Sequence, residues 1–397
     1  MHIVHVGPAR LSAAHRFGGA VERRVTEMSQ EQARKGHFVE VYAAGDKAET
    51  HETDGVILRL IECKHNATLR DFEFLYRVSK ALERASAVPD VIHFHGHAEG
   101  AFFCRNIDAR QFLSYDFFYF RRSRGLPHYI LYRSLLRKFD ALLPVSAYCL
   151  EESKKYWGLD HRRLRVLHNG VNLAQFRPNP TAGGVEREKI APGKRVILYV
   201  GRVCRQKGTD VLLEAFAGLA SRRKDVQLVV AGPIGQFESH ADPEGWQGRI
   251  EAVAGIYLGA VEEDRLASIY NMADLFVMPT REFEMFCMAA VEAQACGRPV
   301  IASNHGGLTE VVPEDCGIRF PVGDVKALEQ ILETLLDNPE RMTEFGRHAI
   351  VNAARYSWDK ICVQAEEIYR TEWPYEAGDT PTGTPGVKQM HAVAAAL

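Results

Sequence analysis

The sequence predicts an α/β protein of two parallel-sheet units facing one another across a cleft. Three observations carry that reading. Short apolar strands alternate with helical stretches along most of the chain. A Pro- and Gly-rich segment, residues 177–194, interrupts the alternation near the middle. Each half opens on a fresh buried strand.

The elements follow in order. HIVHVG reads as a buried strand, VERRVTEMSQEQARKGH as an amphipathic helix closed by Gly36, and FVEVYAAG as the next strand. Further strands are expected at 91–95, 141–146, 165–170, 195–201, 226–232, 255–259, 275–279 and 299–303, with helical patterns between most of them. The predicted organisation is a first domain over 1–176, a linker over 177–194 and a second domain over 195–355. The tail, 376–397, has few large apolar groups and is expected to be disordered. In open parallel sheets ligands bind beyond the carboxyl ends of the strands, so two such units define a cleft between them.

Composition narrows the classes. The 397 residues fit two domains of ordinary size, and 46% hydrophobic against 25% charged residues supports large cores. With 49 basic and 51 acidic residues the net charge is −2, which gives no general attraction to nucleic acid or anionic membrane. Eight cysteines occur without a C-x-x-C pair, as expected of reduced thiols in a cytoplasmic protein. The N-terminal residues lack the features of a signal peptide, and no uncharged apolar run reaches the roughly 18 residues of a transmembrane helix.

Several motifs carry chemistry. In REFEMFCMAAVEAQACGRPVIAS, Glu284 and Glu292 stand eight residues apart in an apolar, small-residue segment, and carboxylates are rarely buried without a partner or ligand. Gly18-Gly19 lie between a strand and a helix, where they form either an anion cradle or an ordinary flexible loop. GRVCRQKG ends the strand at 195–201 and carries Arg202 and Lys207, two cations suited to a diphosphate or simply a solvated basic loop. NHGGLTEVV follows the strand at 299–303. The N–H groups of 307–309 there are candidates for a phosphate, with a plain helix start capped by Thr309 as the alternative. His93, His95 and His97 alternate at a strand end, a pattern compatible with a metal site. No further acid or histidine ligands complete such a set, and one functional histidine on a half-buried strand is the preferred reading. The stretch 117–139 interleaves aromatic and basic residues. Its 128–139 part reads as a helix packed on the sheet, and 115–124 as an acceptor surface; peripheral membrane contact is the other option for so basic a segment.

Taken in order, these motifs resemble family 4 nucleotide-sugar glycosyltransferases of the GT-B fold. The resemblance rests on GGAVERRVTEMSQEQARKGHFVEV, DVIHFH, PVSAYC, LHNGVNLAQFRP, VGRVCRQKGTDVLLEAF, LVVAGP, YNMADLFVMPT, the E-x7-E segment with its ACGRPVIA ending, and GGLTEVV. It covers roughly residues 1–372. It implies two Rossmann-like domains, a final helix within 356–374 that crosses back to the first, and sugar transfer from a nucleotide-sugar, UDP by family frequency, to an acceptor hydroxyl. The acceptor is a glycan, a lipid-linked glycan or a small natural product such as an aminocyclitol. It implies retention of anomeric configuration, no metal and no cofactor, and no nucleic-acid partner.

The resemblance also implies site roles. Glu284 touches the donor sugar and Glu292 holds the ribose hydroxyls. Arg202 and Lys207 stabilise the leaving diphosphate, whose own oxygen takes the acceptor proton. Gly18, Gly19, Gly201, Gly232, Pro233, Val261, Phe286, Cys287, Gly306, Gly307 and Leu308 complete the donor site. Eight helical positions differ by about 80° of rotation, so Glu284 is expected in a loop. Two departures stand out. Cys287 replaces a glycine usual in the family, which reshapes the sugar pocket. Tyr115, followed by Asp116, stands where many relatives have a histidine near the anomeric centre. The acceptor side is therefore assigned to Tyr115, Asp116, His97 and Arg121, with His95 as the histidine nearest the chemistry. A nucleotide-sugar epimerase, a pyridoxal-phosphate-dependent phosphorylase and a non-catalytic sugar-nucleotide-binding protein are the rival classes. The E-x7-E pattern argues against the first, the lack of a visible Schiff-base lysine motif against the second, and Glu284 against the third.

Overall fold

The computed structural model describes residues 1–7, 19–64, 67–116, 125–157, 159, 163–234, 243–282 and 284–371. The expectations placed on Gly18, on Arg121 and on the tail lie outside those residues.

The first half supplies β1 (His2–Val6), β2 (Phe38–Gly45), β3 (Glu49–Thr53), β4 (Val56–Glu62), β5 (Val91–His95), β6 (Arg110–Tyr115) and β7 (Ala141–Pro144). They form one sheet in the order β3-β4-β2-β1-β5-β6-β7, parallel except for the β3–β4 hairpin. The second half supplies β8 (Arg195–Val200), β9 (Val226–Ala231), β10 (Ile256–Tyr257), β11 (Leu275–Met278), β12 (Val300–Ser303) and β13 (Gly317–Phe320). Their order is β10-β9-β8-β11-β12-β13, every pair parallel. Strands covered on both faces become unbroken apolar runs such as RVILYV, which makes them visible in the sequence.

Three segments differ from expectation. The β3–β4 hairpin has no apolar signature on β3, whose five residues are all exposed. Its turn is made by Asp54 and Gly55 at φ 53° and 76°, the two left-handed residues of a tight hairpin turn. The strand expected at 165–170 reduces to a bridge between Leu164 and Leu142 and two backbone hydrogen bonds to β7, Arg165 N to Leu142 O and Leu167 N to Pro144 O, each at 3.0 Å. The presumed linker contains a helix, Pro180–Ile190, capped by Asn179 and packed on the second domain. Gly183 approaches Asn271 so closely that a Cβ would lie 2.3 Å from its carbonyl oxygen, and Arg187 Nε donates to Met272 O at 2.9 Å. Its glycine is a packing residue, which is why the segment looked like a loop.

The chain passes between the domains twice, and the passes touch: Val171 N donates to Tyr356 O at 2.7 Å. The helix Trp358–Arg370 then lies on the first domain through Lys35–Asp359 (2.6 Å), His37–Glu366 (3.1 Å) and Tyr369 Oη with His93 Nδ1 (2.6 Å). No described helix is long and apolar enough to cross a membrane.

Candidate active site

The paired parallel strands β8 and β9 are each followed by a glycine, Gly201 and Gly232. Gly232 has φ 133°, and a Cβ there would stand 1.9 Å from Gly201 O, so the end of β9 tolerates no side chain on that side. Val203 N donates to Pro233 O at 2.9 Å, which ties the loop after β8 to the loop after β9. Gly208, at φ 72°, presses against Pro279 O, and Arg281 N donates to Gln206 O at 2.9 Å. The Arg202–Lys207 loop is thereby held against the end of β11. Tyr199 Oη fixes its start by donating to Arg202 O at 2.6 Å.

This seat brings Lys207 Nζ to 2.5 Å from Glu284 Oε2. Burial pulls the Lys207 ammonium down, but the neighbouring carboxylate outweighs it and the net displacement is upward. Glu284 lies in the loop ahead of the helix Met288–Ala295, as the rotation argument requires, and Glu292 lies inside that helix. Gly306 and Gly307 hold the Glu284 loop from the other side. Cβ atoms on them would lie 2.3 Å from Glu284 O and 2.2 Å from Met285 O, and Gly307 N donates to Glu284 O at 2.6 Å. The Gly307 N–H assigned to a phosphate is thus spent on the Glu284 backbone, and the glycines serve first as a buttress. Leu308 is wholly buried. Phe286 is also buried, its ring 5.7 Å from that of His168 and 5.3 Å from that of Tyr356, so it packs at the interdomain crossing. Cys287 occupies the left-handed region at φ 77°, ψ 78°, the backbone state that suits the glycine it replaces. Val261 and Pro233, on the loops after β10 and β9, are half-buried.

Glu292 is buried and doubly engaged. Arg23, on the first-domain helix Ala20–Arg34, pairs with its Oε1 at 2.7 Å, and Tyr270 Oη donates to Oε2 at 2.8 Å. Gly19 caps that helix without a side-chain contact.

On the first-domain side, Tyr115 turns away from the cleft. Its hydroxyl donates to Ser153 Oγ at 2.8 Å inside the core, so its assignment to the acceptor is corrected, because the side chain is committed to the helix Ala147–Trp157. Asp116, the next residue, has a buried Oδ1 with no hydrogen-bond partner among the described residues. Desolvation pushes its carboxyl up to about 6 against the pull of Arg24, and Glu284 adds to the rise while Lys207 opposes it. Both members of the second-domain ion pair therefore act on Asp116 across the cleft. Glu310, from the second domain, also reaches the first, accepting from Ala147 N at 2.8 Å and meeting His168 Nε2 at 2.5 Å.

The histidines form a buried network. His5 Nε2 donates to Gln32 Oε1 (2.7 Å) and its Nδ1 accepts from His95 Nε2 (3.0 Å); His93 meets Tyr369 Oη and Ser114 Oγ, each at 2.6 Å. Ring nitrogens of His5, His93 and His95 come within 4.8 Å of one another, a spacing a metal ion accepts. Burial holds all three imidazoles neutral, with His5 lowered to about 4, and the buried guanidinium of Arg24, donating to Ser114 Oγ at 2.7 Å, places a fixed positive charge beside them that opposes a cation. His95, the histidine assigned to the chemistry, is buried in this network, its Nε2 committed to His5 and its Nδ1 without a hydrogen-bond partner among the described residues. His97 is buried near Gly7 at the end of β1, its ring 5.9 Å from that of Phe74. Arg23, Arg24, Tyr270, His168 and Glu310 were not identified from the sequence. The one signal for the first two is the Arg-Arg pair on an otherwise amphipathic helix.

Two domains of parallel sheet, joined by a double crossing and closing on a cleft lined from both, define a GT-B protein. Two family models match in tandem: Glycosyltransferase Family 4 over residues 17–175 and Glycosyl transferases group 1 over residues 185–351. The chain belongs to the family 4 glycosyltransferases. It is 33% identical over 226 residues to D-inositol 3-phosphate glycosyltransferase 2 of Catenulispora acidiphila, covering 55% of this chain and 53% of the relative. It is 31% identical over 210 residues to D-inositol 3-phosphate glycosyltransferase of Segniliparus rotundus, covering 52% and 46%. The chain thus spans about half the length of these curated relatives. Among solved structures it resembles sucrose-phosphate synthase from Thermosynechococcus elongatus (TM-score 0.77, 20% identity, 93% of this chain and 98% of that one). It also resembles Anabaena HepE in complex with UDP and glucose (TM-score 0.72, 16% identity, 92% and 98%). At those identities the likeness is one of fold.

Proposed function

We propose that the protein is a retaining, metal-independent hexosyltransferase that moves a sugar from a UDP-sugar to a hydroxyl of a carbohydrate or cyclitol. The observation that carries the reading is the pairing of Lys207, on the loop after β8, with Glu284, on the loop after β11, with Glu292 eight residues on. A cation and a carboxylate at strand ends suit a diphosphate and the sugar attached to it. The UDP preference is supported by the UDP and glucose bound to Anabaena HepE, and the polyol acceptor by the inositol 3-phosphate in the names of the curated relatives.

In this reading the bond from the sugar's anomeric carbon to the diphosphate oxygen breaks, and the acceptor oxygen bonds to that carbon. The acceptor proton passes to the departing diphosphate oxygen. Lys207 and Arg202 stabilise the charge that develops there. Glu284 holds the sugar hydroxyls, Glu292 the ribose diol, and Asp116 accepts a hydrogen bond from a substrate hydroxyl on the first-domain side. Calorimetry with UDP, GDP, ADP and their glucose and N-acetylglucosamine conjugates tests the reading, with Glu292→Ala and Arg202→Ala beside the wild type. Tight binding of a uridine nucleotide that both variants lose is the expected result. Binding of no nucleotide overturns it.

A further inference from the structure

Arg23 belongs to the first domain, yet its strongest contacts are with the second. Its Nη2 lies 2.7 Å from Glu292 Oε1, its Nε 3.4 Å from Glu263 Oε1, and its guanidinium stands 5.6 Å from the centre of the Phe176 ring. Burial lowers the guanidinium's proton affinity, but Glu292 and Glu263 together more than restore it. Tyr270, itself wholly buried, completes the arrangement by donating to the other oxygen of Glu292. One oxygen of the carboxylate is therefore anchored from its own domain and the other from the facing domain.

An ionised carboxylate accepts about four hydrogen bonds, two at each oxygen. Tyr270 takes one place on Oε2, while Arg23 meets Oε1 as an ion pair and leaves its hydrogen-bond places open among the described residues. Each oxygen thus keeps an open place, and a vicinal diol supplies two donors to fill them. We propose that Arg23 is a positioning residue for the nucleotide ribose: it orients Glu292 toward the 2′,3′-diol and makes that subsite complete only when the two domains are closed on each other. The proposal rests on the assignment of Glu292 to the ribose made above. It adds a first-domain side chain to a subsite that otherwise lies wholly in the second domain, so ribose recognition and closure share one ion pair. Lysine cannot reproduce the arrangement, because a single ammonium lacks the fork that reaches Glu292 and Glu263 together.

The test compares ribonucleotides with their 2′-deoxy counterparts, since a residue that merely holds the domains together has no means of sensing one hydroxyl. Binding of UDP and 2′-deoxy-UDP is measured by calorimetry, with the GDP and ADP pairs alongside, for wild type, Arg23→Met, Arg23→Lys and Glu292→Gln. Methionine keeps the stem that packs on Phe176 and removes the charge. The wild type is expected to prefer the ribonucleotide about tenfold or more, the range of a hydrogen bond to a charged group. The preference should fall to about threefold or less in Arg23→Met and lie between in Arg23→Lys. An unchanged ratio in Arg23→Met, even with weaker binding overall, overturns the proposal. If Arg23→Met does not fold, the lysine variant decides on the same ratio. A failure of the underlying reading looks different: either no nucleotide binds the wild type, or Glu292→Gln keeps the full preference.

Discussion

Lys207 Nζ stands 2.5 Å from Glu284 Oε2, and the two side chains are only 19% and 12% exposed. Each is the other's nearest opposite charge in a site from which water is largely excluded, and breaking such a pair is costlier than never having built it. Lys207→Met is expected to cost about 2–3 kcal/mol of stability, less than for a fully buried pair because some solvent reaches both groups. The double variant Lys207→Met/Glu284→Leu should recover most of that loss, and neither should transfer sugar above about 1% of the wild-type rate. Chemical denaturation and a product assay check both halves; a single variant as stable as wild type would show that the pair is uncoupled.

The Gly306–Gly307 buttress makes a sharper mutational statement. A Cβ on Gly307 would lie 2.2 Å from Met285 O, which is backbone and has nowhere to move without carrying Glu284 with it. Gly307→Ala should therefore cost about 2 kcal/mol or more. It should also weaken nucleotide-sugar binding more than binding of the nucleotide alone, because Glu284 is assigned to the sugar. Equal loss for the two ligands would remove Glu284 from the sugar subsite.

Cys287 holds a conformation that costs an L-residue roughly 1–2 kcal/mol. Its thiol is buried, and burial raises its proton affinity, with Glu284 adding to the rise, so it stays a neutral thiol in the working range of pH. Glycine relieves the strain but gives up side-chain packing and gains freedom in the unfolded chain, so Cys287→Gly should stay within about 1 kcal/mol of wild type. A β-branched residue has no such escape, and Cys287→Val should lose about 2 kcal/mol or more. Unfolding midpoints that rank valine beside glycine would exclude the left-handed geometry at this position.

Asp116 gives the pH dependence. Its carboxyl is raised from 3.8 to about 6, so the folded protein binds the proton more tightly than the unfolded chain. The sign follows: stability falls as pH rises from about 4 to 6, and the full penalty is present at pH 7. Asp116→Asn should therefore stabilise the protein at pH 7 by about 1–3 kcal/mol and have little effect below pH 4. If the ionised form receives the substrate hydroxyl, turnover of the wild type should climb through pH 6, and the asparagine variant should lose that limb along with most of its kcat. An identical pH profile in the variant would place Asp116 outside the chemistry.

The alternation of strands and helices, the two-domain division and the glycine and acid positions around Lys207 are legible in the chain because they are local. Buried parallel strands must be apolar throughout, and strand-to-helix turns that approach another backbone must be glycine, as at Gly208, Gly232, Gly306 and Gly307. The β3–β4 hairpin escaped because β3 is exposed and charged. The Pro180–Ile190 helix escaped because Gly183 was used for contact with Asn271 and not for a bend. Which side chains meet across the cleft belongs to another level. Tyr115 and Asp116 are adjacent in sequence, and the pleat sends one to Ser153 and the other toward the Lys207–Glu284 pair. Arg23 and Glu292 are 269 positions apart, and no pattern within either helix announces their ion pair. Sequence by itself determined the two folds and the groups available to the cleft, since burial and turn chemistry act over a few residues. Only the tertiary structure decided which of those groups are partnered, because charge pairing and desolvation depend on how the two domains close.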